Sequence, residues 1–386
     1  MNELKDPNLS FYFLLNLLSK LFIYMSLNII FGQDLKKDNL LEVQFEELTK
    51  EYLSINPEAT GVMAAVYYPN RAKWSYSIGN IGRDTSQKIK GDELFVAASI
   101  TKMFVSTCVL QLQEEGKLSL DDLVTKYVDE AIIKRLTKYR GKSTENKLTL
   151  THLLRHQSGI FDYLNEGQVH LKAYQENPSK NYSLEERLNF ALNLGEATNR
   201  LGKYSYSNTN YILLGMILEK IENMDISDVL EKRIIRPLKL QNTTLQPSSK
   251  LVGKMLKGYY TDWDLTSFTL EFNKNNPAGG ILTTREDLMS FGKGLFSGRL
   301  FKSKKTLETM LAFENGYGMG MRLFDKSRKT GKIMGHEGFD PGYTCYLIYL
   351  EKLDAVIVTV INQSELRVVK PAFLIARIVG AIKDDN

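Results

Sequence analysis

The chain has 386 residues, 43% of them hydrophobic and 25% charged, with a formal net charge of +5. This composition excludes a disordered or fibrous chain and allows one large domain or two smaller ones. The basic surplus is spread along the sequence without dense Lys/Arg clusters, so it bears on solubility, and nucleic acid is not an expected partner. Cys108 and Cys345 are the only cysteines. Both sit in apolar runs and read as buried free thiols rather than a disulfide. His152 and His156 stand four apart without an H-E-x-x-H pattern, and no Cys/His cluster has metal spacing, so neither a metal nor a cofactor is expected.

At the N-terminus, Phe11 to Phe31 form an almost continuous apolar run, long enough to span a bilayer. Lys20 interrupts it, at a cost of about 2.5–3.5 kcal/mol at the bilayer centre. Residues 1–32 are expected to be a signal peptide with its apolar stretch at Leu21–Phe31, or an uncleaved membrane anchor. The run ends without an A-x-A site. Both readings place the rest of the chain outside the cytoplasm, in a periplasm or secreted. The second adds membrane association through residues 11–31.

"LLEVQFEELTKEYLS" follows with helical spacing, Leu41, Val43, Phe45, Leu48 and Leu53 giving one apolar face. "GVMAAVYYPNRAKWSYSIGN" reads as two strands around a Pro-Asn turn. "SITKMFVSTCVLQLQEEG" predicts a helix apolar on nearly every side, hence centrally buried. "LTLTHLLRHQSG", "SLEERLNFALNL", "NTNYILLGMILEKIENM", "DISDVLEKRII" and "TTREDLMSFGKGLFSG" are further helical segments. Ser183 with Glu186, and Thr283 with Glu286, have the spacing of capping boxes. Near the end, "YTCYLIYL" and "AVIVTVIN" form a second hairpin around "EKLD", followed by an amphipathic helix over Leu366–Ile382. The simplest architecture is one antiparallel sheet built from both ends of the chain, with a helical insertion between them. This predicts a single domain over 38–386, its sheet part 38–95 and 330–386, its helical part 96–329.

Three short segments carry chemistry. In "AASITKMF", Ser99 and Lys102 are three apart at the start of the buried helix, so the amine can reach the hydroxyl. A buried amine near a helix N-terminus has a lowered pKa and can act as a base. The same spacing recurs at Ser290 and Lys293, but in a surface-type amphipathic helix containing Gly292, where a solvated face is the better reading. In "KYSYSNTNY", Tyr206 can relay a proton and the Asn208 amide can bind a carbonyl. "YPN" at Tyr68 and "YLN" at Tyr163 share the pattern without opening a buried helix. "GHEGFDPGY", Gly335–Tyr343, precedes the second hairpin, and its small residues let a substrate backbone approach. The nearby "KTG" at Lys329–Gly331 lies in a charged run and reads as a solvated turn.

S-x-x-K, Y-x-N and H-x-G in this order resemble the serine β-lactamase and penicillin-binding-protein superfamily, specifically its branch of class C β-lactamases, D-alanyl-D-alanine carboxypeptidases and esterases. "LTLTHLLRHQSGIFDY", "NPAGGILTTREDLMSFGKGLF" and "NGYGMGM" match linking segments of that family, and the first makes His152 and His156 structural. The resemblance implies an α/β fold of the α+β type: an antiparallel sheet flanked by N- and C-terminal helices, with an inserted all-helical region. It implies Ser99 as the acylated nucleophile, Lys102 as its hydrogen-bonded partner and base, and Tyr206 as the shuttle or base for acylation and deacylation, with either Lys102 or Tyr206 taking the first proton. Asn208 would orient the substrate amide, His336 and Gly338 would line the edge strand, and the N–H groups of Ser99 and Phe339 would form the oxyanion hole.

One position departs from the family. Glu337 stands where K-T-G and H-T-G enzymes carry a threonine that helps hold a substrate carboxylate, and the preceding cation is a titratable histidine. A glutamate facing the pocket would repel carboxylate-bearing substrates. The resulting expectation is a serine hydrolase acting through an acyl-enzyme on an ester, or on an amide or peptide without a free carboxylate. Its substrate would be a small molecule or peptide, cell-wall derivatives included. The alternatives are a genuine β-lactamase or D-alanyl-D-alanine carboxypeptidase, and a catalytically silent cell-envelope binding protein.

Overall fold

The computed structural model describes residues 37–69, 73–164, 168–365 and 371–385; the predicted leader lies outside them. The chain divides into two compact units at Gln44/Phe45. The described part of the first unit, residues 37–44, is the start of helix α1 (Lys37–Ile55). Within the second unit the buried side of this helix is Phe45, Thr49 and Tyr52, with buried Asn56 just past its end, while Leu48 and Leu53 are only half-buried. The predicted face is therefore rotated. Two polar residues can line the buried side because each is satisfied locally, Thr49 by the Phe45 carbonyl and Asn56 by the Tyr52 carbonyl. Phe45 packs on Trp74, ring centroids 4.8 Å apart.

Strands β1 (Gly61–Tyr67) and β2 (Trp74–Gly79) form the first predicted hairpin. A two-residue strand, β3 (Phe95–Val96), leads through a 3-10 turn at Ala98–Ile100 into α2 (Thr101–Glu114), the centrally buried helix. Further along come α3 (Leu150–Leu154), α4 (Leu184–Leu194) and α5 (Thr209–Glu222). The insertion is mainly helical but not all-helical. β3 pairs with β6 (Leu282–Thr283), and β4 (Tyr259–Tyr260) pairs with β5 (Trp263–Asp264).

Helix α6 (Arg285–Phe296) is capped by Thr284, whose hydroxyl accepts from the Asp287 N–H, one residue beyond the predicted box. Thr283 is still in β6, its hydroxyl 2.8 Å from that of Thr243. Gly292 lets α6 lie against the sheet: a Cβ there would come within 2.8 Å of the Leu347 side chain.

The main sheet has six strands in the order β2-β1-β10-β9-β8-β7, every neighbouring pair antiparallel. β7 spans Arg322–Ser327, β8 Gly331–Asp340, β9 Tyr343–Leu350 and β10 Ala355–Ile361. β10, from one end of the chain, pairs with β1, from the other, setting Val62 opposite Ile361. β7 lies in the region predicted to be helical. The "KTG" run is the β7–β8 turn, but Thr330 within it is buried and bonded to the Ser327 hydroxyl at 2.6 Å. A last helix, α7, spans Pro371–Asp385, within the predicted C-terminal helical segment; residues 366–370 of that prediction lie outside the described part. Among the described residues no helix is long and apolar enough to cross a membrane.

β8 is therefore not the outermost strand. β7 covers it only as far as Gly335, opposite Arg322. From His336 to Asp340, β8 is paired on the β9 side alone. That uncovered half holds the predicted H-x-G residues.

Candidate active site

The backbone makes a sharp change of direction just before Ser99. Ala97 donates its N–H to the Ile281 carbonyl at 2.8 Å. Ala98 then takes a left-handed conformation, φ 47°, unusual for a residue with a Cβ and least costly for the smallest one. Ser99 follows, half-buried, in the 3-10 turn, and Lys102 lies in the first turn of α2, fully buried.

Lys102 Nζ has three oxygen neighbours: Ser99 Oγ at 3.0 Å, Asn208 Oδ1 at 2.7 Å and the Ala278 carbonyl at 2.5 Å. None is a carboxylate. Burial accordingly draws its pKa down to about 7, against the opposing pull of the more distant Asp162 and Glu337. The amine and ammonium forms are then both accessible near neutral pH. With two fixed acceptors taking two hydrogens, the remaining position on Nζ points at Ser99.

Tyr206 approaches Ser99 from another direction, its hydroxyl donating to Oγ at 2.9 Å. Burial holds its pKa well above the usual tyrosine value, so it rests as a phenol and serves first as a proton donor. Its loop is braced by His156, whose ring lies 4.1 Å from the Tyr206 ring, centroid to centroid. His156 Nδ1 also accepts from the Ser207 N–H at 3.1 Å. Asn208 opens α5 and is buried, its amide oxygen on Lys102 and its amide nitrogen on Asp162. His152 instead completes a capping box with Thr149 at the start of α3.

The uncovered half of β8 forms the opposite wall. Gly338 passes directly over the Ser99 segment: a Cβ there would fall 2.3 Å from the Ala97 carbonyl oxygen. Only glycine lets the strand approach this closely. His336 is buried and uncharged. Burial, with Lys102 adding to it, pushes its pKa well below the usual histidine value. Its Nδ1–H donates to the Glu337 carbonyl, and Nε2 accepts from the Tyr317 hydroxyl at 3.0 Å. It therefore offers a substrate neither a charge nor a free nitrogen. The Phe339 side chain is 57% exposed beside it.

Glu337 does not face the pocket as a lone charge. It is 28% exposed and forms an ion pair with Arg322, Nε to Oε1 2.7 Å. The guanidinium carbon of Arg322 lies 5.5 Å from the Tyr206 ring centroid and 5.8 Å from that of Tyr317. Its terminal nitrogens have no hydrogen-bond partner among the described residues.

Ser99, Lys102, Tyr206 and Asn208 are thus brought together, with His336, Gly338 and Phe339 alongside and Glu337 at the margin. Ser290 and Lys293 are not part of this group. Ser290 is exposed, and Lys293 Nζ sits 3.6 Å from the Tyr67 ring centroid. Sequence reasoning missed Asp162, Tyr317, Arg322 and the Ala278 carbonyl. Arg322 directly follows the family-like "NGYGMGM" and could have been flagged there. Asp162 has no spacing relation to Lys102 that a sequence would display. Both cysteines are buried and free. Among the described residues no group of three or more His, Cys, Asp or Glu side chains could hold a metal.

The fold has counterparts among known proteins. The family described as Beta-lactamase matches residues 45–379. "Penicillin-binding protein 4*" of Bacillus subtilis is 25% identical over 295 residues, 71% of this chain and 62% of that protein. This chain thus spans less than two thirds of that relative's length. The solved D-amino acid amidase of Ochrobactrum anthropi SV3 superposes with a TM-score of 0.74 at 23% identity, over 89% of this chain and 99% of its own. A D-stereospecific amidohydrolase from a Streptomyces species gives 0.73 at 24% identity, over 88% and 98%. These two likenesses speak for the fold. Because the family match runs through both halves of the sheet and the whole insertion, the chain belongs to the Beta-lactamase family of serine hydrolases.

Proposed function

We propose that this protein is a serine hydrolase that acylates Ser99 with an ester or amide substrate and then releases the acyl group to water. The observation that carries the reading is the placement of Lys102 Nζ and Tyr206 OH on Ser99 Oγ, at 3.0 and 2.9 Å. Neutral Lys102 takes the Ser99 proton as Oγ attacks the carbonyl carbon. The N–H groups of Ser99 and Phe339 receive the oxyanion. The intermediate collapses as the Tyr206 hydroxyl protonates the departing oxygen or nitrogen, and Lys102 returns the proton to Tyr206. In the second half a water adds to the acyl carbon, loses its proton to the same pair, and Ser99 leaves protonated.

The preferred acyl donor is a D-amino-acid amide or ester without a free carboxylate. Support comes from β8, which offers a neutral His336 and a Glu337 in place of a cation and a hydroxyl, and from the amidases that share the fold. The apolar leader supports action outside the cytoplasm, on envelope-derived material. A panel of p-nitrophenyl esters, D-amino-acid p-nitroanilides and nitrocefin, with Ser99→Ala as control, tests the reading. Turnover that persists in Ser99→Ala, or fluorophosphonate labelling of that variant, would sink it.

A specific observation favours a second reading, a carboxypeptidase. Arg322 brings a cation to the Tyr206 side of the site, where a terminal carboxylate could displace Glu337 as its partner. Under that reading Arg322→Met raises KM for a D-alanyl-D-alanine peptide about tenfold or more and leaves a neutral ester within about twofold. Equal effects on the two substrates exclude it.

A further inference from the structure

Asp162 is a half-buried carboxylate behind the proposed catalytic group, and the steps above do not use it. It follows the "HQSG" segment, with Tyr163 next to it fully buried and donating its N–H to Thr209 on α5 at 3.0 Å. Each of its described partners is a donor. Oδ1 accepts from the backbone N–H of Leu164 at 3.2 Å, from that of Asn208 at 3.1 Å and from Asn208 Nδ2 at 3.2 Å; Oδ2 accepts from the same Nδ2 at 3.0 Å. An ionised carboxylate can only accept. The end of the Asn208 amide that faces it must therefore be the NH2 group.

We propose that Asp162 is a positioning residue that locks the Asn208 amide in the one orientation leaving Lys102 able to take the Ser99 proton. The inference rests on the hydrolase reading. With the NH2 group held by Asp162, Asn208 Oδ1 is presented to Lys102 Nζ, 2.7 Å away. Ala278 supplies a second acceptor. A neutral amine has two hydrogens, both then spent on these carbonyls, so its lone pair points at Ser99. A flipped amide would direct NH2 hydrogens at Nζ, compete for that lone pair and repel the ammonium form. Asp162 also acts through charge, as the strongest of the influences that favour the ammonium form of Lys102. The other groups around Lys102 are Tyr206 and Tyr211 from the α5 segment, His156 behind them, Arg322 on β7, and His336, Glu337 and Asp340 on β8.

Two variants of the full chain test this. Asp162→Asn keeps an acceptor and removes the charge. Its fluorophosphonate labelling rate at Ser99 should fall about 10- to 100-fold, the scale of a small misplacement of a catalytic group. The acid limb of its rate–pH profile should move to lower pH, because the ammonium form has lost its anion. A purely structural residue would lower the rate and leave the limb in place, and that result overturns the proposal. Asp162→Ala removes the lock: the Asn208 Nδ2 protons, which NMR should find protected from exchange in the wild type, should exchange freely in this variant. Continued protection also overturns the proposal. Rescue of the rate by Asp162→Asn relative to Asp162→Ala, at matched Tm, is expected. A wild-type protein that takes no label defeats the hydrolase reading instead, and the Asn208 exchange measurement still decides whether the lock exists.

Discussion

Two segments of this chain carry a serine and a lysine three residues apart on a helix, and they differ in almost everything else. Lys102 is fully buried, ringed by a hydroxyl and two carbonyls. Lys293 is half-buried against the Tyr67 ring, and Ser290 points to solvent. A third basic residue sharpens the contrast. Arg233 is nearly as buried as Lys102, yet Glu115 and Glu222 contact it directly, at 2.9 Å each, and it stays charged. Burial alone does not make a proton-accepting amine. It must be burial among neutral acceptors, with carboxylates kept a layer away.

Breaking the contrast outright should give the largest effect. Ser99→Ala is expected to lower ester turnover by about three orders of magnitude or more, and Ser290→Ala to leave it unchanged, both measured as kcat/KM. Next is Lys102→Met, which keeps the volume and removes the amine. Acylation should fall about 10²- to 10⁴-fold. Because the Asn208 and Ala278 oxygens lose their donor, stability should drop by about 1–3 kcal/mol in urea unfolding. A subtler probe is pH. With Lys102 as the proposed acylation base, the rate should rise with pH through about 7, to which burial lowers its pKa. Lys293→Ala should not move that limb. The smallest effect is on the other side of the comparison: Lys293→Ala removes one half-buried cation–π contact and should cost about 0.5–1 kcal/mol.

What could be read beforehand follows from how local each signal is. The two hairpins announced themselves through dense β-branched and aromatic runs, and Ser183 does cap α4 with Glu186, by reciprocal bonds of 2.9 and 3.2 Å. The second predicted cap slipped by one residue because two threonines stand side by side and Thr283 is taken up by β6. β7 stayed hidden because "RLFDKS" is a largely solvated outer strand without clean alternation. In the site, the spacings of Ser99–Lys102 and Tyr206–Asn208 are local and visible. The Asp162–Asn208 and Arg322–Glu337 contacts join segments distant in sequence, which only the fold brings together. The resemblance identified the strand bearing His336 and Glu337. It could not show that the histidine is neutral or that the glutamate is already paired.

The pairing of β1 with β10 also sets a schedule for synthesis. The Ser99–Lys102 segment is made well before β8, which lies beside it, and β1 must wait longer still for β10. A sheet closed by strands from opposite ends has high contact order and folds late. Synthesis must therefore run past β10 before the sheet beside Ser99 can close, so a chain cut short of β8 would carry the proposed nucleophile without the strand proposed to receive its substrate.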